Sequence, residues 1–123
     1  MSEWRRVVVT GLGAVTPVGN NVSETWNSLK NGKNGIAPIT FFDTEGFKAK
    51  LAAEVKGFEP KEYLEVNEIL RTDRYAQLAV AAAAQAVEDS GIEGKVEPEK
   101  FGVMFGTGCL LYTSPSPRDM RRS

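Results

Sequence analysis

Proton transfer and nucleophilic attack in enzymes fall most often to histidine, cysteine and grouped carboxylates. This chain has no histidine and a single cysteine, Cys109. Without histidine the commonest general base and the commonest metal ligand are both missing. A cysteine nucleophile needs a base beside it or a depressed pKa, and no helix is evident after Cys109 to lower that pKa. Cys109 is therefore read as non-catalytic. Glu59, Glu62, Glu65 and Glu68 recur every three residues. On helical turns they would share a face, but no metal-ligand companions accompany them, and a solvated face is expected.

Two glycine-bearing stretches invite a phosphate-binding reading. Gly11-x-Gly13 follows an apolar run, as a dinucleotide fingerprint would. That fingerprint also needs a glycine at position 16 and a helix opening directly onto the pyrophosphate. Here Thr16 and Pro17 stand in the way, so the glycines are expected to serve a tight turn. Gly32-Lys33 lacks the preceding spaced glycine and the following Ser/Thr of a P-loop. No catalytic, cofactor-binding or metal-binding residue is assigned, and no cofactor is expected.

The elements that would position any site follow an α/β order. Arg5-Arg6-Val7-Val8-Val9-Thr10 reads as a strand covered on both faces, because three β-branched residues are bounded by charge and glycine. Asn21 with Glu24 predicts a capped helix start. Val22, Trp26 and Leu29 supply one apolar stripe, and Lys30-Asn31-Gly32 the stop. Residues 33–48 read as a loop pinned by Ile39, Phe41 and Phe42. Leu51, Ala53 and Val55 alternate with Ala52, Glu54 and Lys56, the period of a half-exposed strand. Pro60 opens a short turn ending near Leu64, and another covers Asn67 to Leu70. The clearest helix runs from Asp73 to Ser90, with Thr72 or Asp73 as cap and Gly91 as terminator. Tyr75, Leu78, Ala79, Ala82, Ala86 and Val87 mark one face. Phe101-Gly102-Val103-Met104-Phe105 reads as a third strand, with Gly106-Thr107-Gly108 at its end.

Composition bounds the function classes. The chain has 123 residues, 41% hydrophobic and 25% charged, with net charge −1. Those values fit one soluble globular domain, with no strong field for nucleic acid or an anionic membrane. No apolar run is long enough to span a bilayer, and the N-terminus lacks the apolar core of a signal peptide. One cysteine permits no internal disulfide, and a cytoplasmic setting is expected. Residues 109–123 differ from the rest. They have no period, carry Pro115 and Pro117 among serines, and end in Arg121 and Arg122. They read as a disordered tail, or as non-native sequence resembling translated sequencing-adapter DNA.

Arg5 through Asn20, with its Val7-Val8-Val9-Thr10-Gly11-Leu12-Gly13 and Thr16-Pro17-Val18-Gly19, resembles the opening of the β-ketoacyl-acyl-carrier-protein synthase II family. The likeness continues through Trp26, Leu29, Gly32, Gly35, Ile36 and Phe42-Asp43. It includes Arg71-Thr72-Asp73-Arg74-Tyr75-Ala76-Gln77, Glu88-Asp89-Ser90-Gly91, Gly102-Val103 and Gly106-Thr107-Gly108. The resemblance implies a partial thiolase-like fold: three strands of a mixed, mostly parallel sheet with packed helices, followed by an irregular tail. It makes residues 1–108 an incomplete N-terminal domain and 109–123 a non-native or disordered extension. It implies an acyltransferase parent, usually a homodimer, that elongates fatty acids by decarboxylative Claisen condensation of acyl and malonyl thioesters on acyl carrier protein. The family's cysteine and two histidines lie beyond residue 108, so none of its catalytic residues transfers to this chain, which is expected to be inactive alone. Because the strands that would cover its edges are absent, marginal stability is expected as well. Arg71 matches a position that is often basic and is the one expected contact for the acidic carrier protein. Two other readings stand beside this one: a non-catalytic protein that binds acyl carrier protein or a synthase partner, and a nucleotide-binding α/β module.

Overall fold

The computed structural model describes residues 3–108. They divide into two compact units, one ending at Glu93 and the other beginning at Gly94.

In the first unit, helix α1 spans Val22–Lys30. Asn21 Oδ1 accepts the Glu24 N–H at 2.8 Å, and the Glu24 carboxylate reaches back to the Asn20 N–H at 2.8 Å. The two groups satisfy orphan donors at the helix start reciprocally, as in a capping box, with the return bond landing one residue early. Asn31 caps the other end, and Gly32 then takes a left-handed φ of 65°. Strands β1 (Ile36–Pro38) and β2 (Leu51–Ala53) pair antiparallel, with Ile36 opposite Ala53, Ala37 opposite Ala52 and Pro38 opposite Leu51. A 3-10 turn at Pro60–Glu62 and helix α2 (Val66–Arg71) lead into helix α3 (Arg74–Ser90), which Gly91 ends in the left-handed conformation.

The packing centre lies on α3. Ala81 is fully buried and Gln77 nearly so. The Gln77 carboxamide nitrogen donates to Ile69 O at 3.1 Å and Thr72 O at 3.0 Å. One buried amide thus satisfies carbonyls that α2 leaves open at its C-terminal end, which locks the two helices together.

Several expectations are corrected. Residues 5–10 and 101–105 form no strand among the described residues. The described sheet is two-stranded and antiparallel, not three-stranded and mostly parallel. Val7 is 90% exposed and Met104 97% exposed. A β-branched run states a preference for a covered sheet, but the ladder must come from flanking strands, and none flanks these segments among the described residues. Strand β1 falls within the segment expected to be a loop. Three residues ending in proline show no alternation, and the strand exists through its pairing with β2. In β2 the half-buried residue is Ala52, opposite Ala37, whereas Leu51 and Ala53 face out. Trp26 and Leu29 sit on α1 as expected, yet both are exposed. Gly11 and Gly13 do not have positive φ. The tight turn comes later, where Thr16 and Gly19 bond reciprocally through their backbones at 2.8 and 3.2 Å.

In the second unit, Pro98–Lys100 form a 3-10 turn, and Lys100 pairs with Glu97 at 2.6 Å with both side chains exposed. An exposed pair of this kind contributes little to stability.

Candidate functional site

Helix α3 carries polar side chains among its alanines, and they organise the first unit. Asp89 Oδ2 accepts the Leu12 N–H at 2.9 Å. One turn earlier, Gln85 Oε1 accepts the Ala14 N–H at 3.2 Å. Residues 85 and 89 share a helix face, so the pair matches alternate amides of one extended backbone. The Gln85 amide nitrogen donates in addition to Asn20 O at 2.8 Å and to the Tyr63 hydroxyl at 3.0 Å. Gln85 therefore joins three segments: the residues after Gly13, the entry to α1 and the 3-10 turn.

The two glycines make this grip possible. A Cβ built on Gly11 would lie 2.3 Å from Ala86 O, and one on Gly13 would lie 1.9 Å from Ala82 O. No side chain fits at those distances, so the glycines serve close backbone approach to α3. Beside the grip is an open hollow of about 420 Å³, lined by Leu12, Asn21, Val22, Ser23, Gln85, Glu88 and Asp89. Gln85 and Asp89 are already committed to backbone groups there. No group of three or more His, Cys, Asp or Glu suited to a metal occurs among the described residues. The hollow holds carboxylates, a hydroxyl and amides, but no cysteine or histidine to act on a thioester.

Arg71, the expected carrier-protein contact, is the last residue of α2 and is exposed. Among the described residues its guanidinium pairs with no carboxylate. Arg74 has the opposite fate. Its guanidinium donates to Val55 O at 3.2 Å and lies 5.3 Å from the Phe41 ring centre and 5.8 Å from that of Phe58. It pins the connection between β1 and β2, and the segment that follows β2, to the start of α3 by hydrogen bonding and cation–π attraction. The glutamates at 59, 62, 65 and 68 are exposed, and two serve as local caps: Glu59 accepts the Lys61 N–H at 3.2 Å and Glu68 the Glu65 N–H at 3.0 Å. Cys109 and the rest of residues 109–123 lie outside the described residues.

Gln85, Asp89 and Arg74 were not singled out as site residues from sequence. The available signal was a Gln and an Asp spaced i, i+4 on a helix whose neighbouring face is alanine. Polar side chains at such a spacing ask for backbone partners.

Comparisons with known proteins agree with the sequence resemblance. Residues 4–122 match the family model of the β-ketoacyl synthase N-terminal domain. The 3-oxoacyl-[acyl-carrier-protein] synthase 2 of Coxiella burnetii is 47% identical over 107 residues, covering 86% of this chain and 26% of that protein. The synthase of the same name from Synechocystis is 42% identical over 107 residues, again covering 86% of this chain and 26% of that protein. Among solved structures, the ishigamide ketosynthase/chain length factor aligns with a TM-score of 0.63 at 40% identity, over 80% of this chain and 23% of that one. The α/β class is thus a ketosynthase-type one, and the chain spans about a quarter of the length of these relatives. The chain belongs to the β-ketoacyl synthase family, within its N-terminal domain.

Proposed function

We propose that this chain is the N-terminal part of a 3-oxoacyl-acyl-carrier-protein synthase, an acyltransferase that elongates fatty acids, and that by itself it is a scaffold without catalytic activity. The observation that carries this reading is the match over residues 4–122 to a family with members more than three times as long. The α3 grip supports it. Gln85 and Asp89 fix the segment that begins at Gly11 while Val7, Val8 and Val9 before it remain exposed. In the whole enzyme, residues 5–10 and 101–105 are strands of the mostly parallel thiolase-like sheet, and the missing portion supplies the cysteine and two histidines of the condensation. The parent is a cytoplasmic homodimer acting on acyl and malonyl thioesters of acyl carrier protein.

The test is to incubate the purified chain with acyl- and malonyl-carrier protein and to look for β-ketoacyl product. None is expected, and product from the chain alone would refute the scaffold reading. The non-catalytic binding reading is favoured by one observation, an exposed Arg71 that pairs with no carboxylate among the described residues. Carrier protein is expected to bind the chain weakly, with affinity that falls as salt rises. Arg71→Glu should weaken binding at low salt; equal binding by both chains would remove Arg71 from the contact.

A further inference from the structure

Two Asn-Gly pairs, Asn31-Gly32 and Asn34-Gly35, stand close together on the exposed connection between α1 and β1. An asparagine followed by glycine is open to attack on its side-chain amide by the next backbone nitrogen, because glycine has no side chain to hinder ring closure. The two sites are held very differently. Asn31 is the C-cap of α1, with its own N–H on Asn27 O at 3.1 Å, while the Gly32 N–H donates to Leu29 O at 3.0 Å. The nitrogen that would attack is therefore tied into the helix end. At the second pair, Asn34 Oδ1 accepts the Ile36 N–H at 3.0 Å, so the carboxamide is folded back over the Gly35 peptide and its carbonyl is polarised. The Gly35 N–H donates to no group among the described residues.

We propose that Asn34 is a site of spontaneous deamidation and that the fold protects Asn31. The Gly35 nitrogen attacks Asn34 Cγ and forms a new C–N bond. The bond from Cγ to the amide nitrogen breaks, and ammonia leaves with the proton that Gly35 gave up. Water then opens the five-membered imide at either carbonyl, which yields aspartate or isoaspartate. No electrons are exchanged. Aspartate keeps an oxygen for the Ile36 N–H, whereas isoaspartate lengthens the backbone by one methylene immediately before β1 and removes that turn.

The test is to age the intact chain at mildly alkaline pH, in buffer and in denaturant, and to quantify conversion at each site by peptide mapping with separation of the isomers. In buffer Asn34 is expected to convert at least about fivefold faster than Asn31, because reaction at Asn31 must wait for local opening of the helix end. In denaturant the ratio should collapse toward one. The same ratio in both conditions, or faster conversion at Asn31, would overturn the proposal. A chain that failed to hold its fold would give the first of these results. Asn34→Asp should retain the protection of the Ile39 N–H, which donates to Lys50 O at 3.0 Å, while the isoaspartate product should lose it.

Discussion

Replacing Gly13 by alanine tests the α3 grip directly. The added Cβ would lie 1.9 Å from Ala82 O. Two responses are open. The helix carbonyl can retreat by about 1 Å, which strains the helix and costs about 1–3 kcal/mol as other overpacked sites do. Alternatively, residues 11–14 can lift away and forfeit the Leu12–Asp89 and Ala14–Gln85 bonds. A net of about 1 kcal/mol for each bond puts that route near 2 kcal/mol. The chain takes the cheaper route, so the loss is about 2 kcal/mol, or roughly thirtyfold in the equilibrium between held and released segment. Amide hydrogen exchange reads this residue by residue. Protection at Leu12 and Ala14 should fall roughly thirtyfold in Gly13→Ala, while amides in the middle of α3 change little. Gly102→Ala is the control, since a Cβ there meets nothing within 4 Å. Unchanged protection at Leu12 and Ala14 in the Gly13 variant would refute the argument from close approach.

Gln85→Leu removes partners from Ala14, Asn20 and Tyr63 together and should cost about 2–3 kcal/mol, measured as a lower denaturation midpoint, with Tyr63→Phe costing about 1 kcal/mol or less. Arg74→Leu should loosen the hairpin from α3 by about 1–2 kcal/mol, through loss of the Val55 bond and contacts with two rings, and exchange should quicken at Ile39 but not at Leu12. The Glu54 carboxylate accepts the Thr40 N–H at 3.1 Å and the Thr40 hydroxyl at 2.9 Å. Desolvation acts to raise this carboxyl, but the Thr40 hydroxyl and N–H, the Phe41 N–H and the Lys56 charge together hold it below the ordinary glutamate range. A carboxyl depressed by folding stabilises the fold above its unfolded pKa and loses that contribution as pH falls through its folded pKa. Thr40 N–H protection should therefore persist through neutral and mildly acidic pH and drop only below the usual glutamate range, and Glu54→Gln should make it insensitive to pH there.

The sequence is most readable where one residue settles a local choice. Asn21 with Glu24 marks the start of α1, Gly91 the end of α3, and the alanine run between Leu78 and Gln85 the helix itself, because caps and propensity act over a few residues. Readability fails where the outcome depends on a distant partner. Val7-Val8-Val9 reads as a covered strand, but these residues form no strand and are exposed, because a ladder needs partner strands and none flanks them among the described residues. Ile36–Pro38 becomes a strand only because Leu51–Ala53 lies alongside. Gly11 and Gly13 are expected from sequence to serve a tight turn, whereas they serve close approach to a helix about seventy residues along the chain, which nothing local identifies. The family was legible for a different reason: an ordered series of motifs over residues 5–108 specifies ancestry even where it leaves the local geometry open.

The grip of α3 on the N-terminal segment also has a consequence in time. Leu12 and Asp89 are separated by 77 positions and Ala14 and Gln85 by 71. At about 5–20 residues per second, a ribosome needs roughly 4–15 s to pass from one partner to the other. Helix α1 and the β1–β2 hairpin close through short-range contacts within that interval, but Gly11 and Gly13 have nothing to dock on until the last turn of α3 has emerged. Throughout synthesis the three valines before them therefore form an early, sticky and unclaimed segment. Docking of α3, made last in this unit, holds Gly11 to Ala14 but leaves the three valines exposed, so the segment must be kept from pairing with another copy even after the unit has closed.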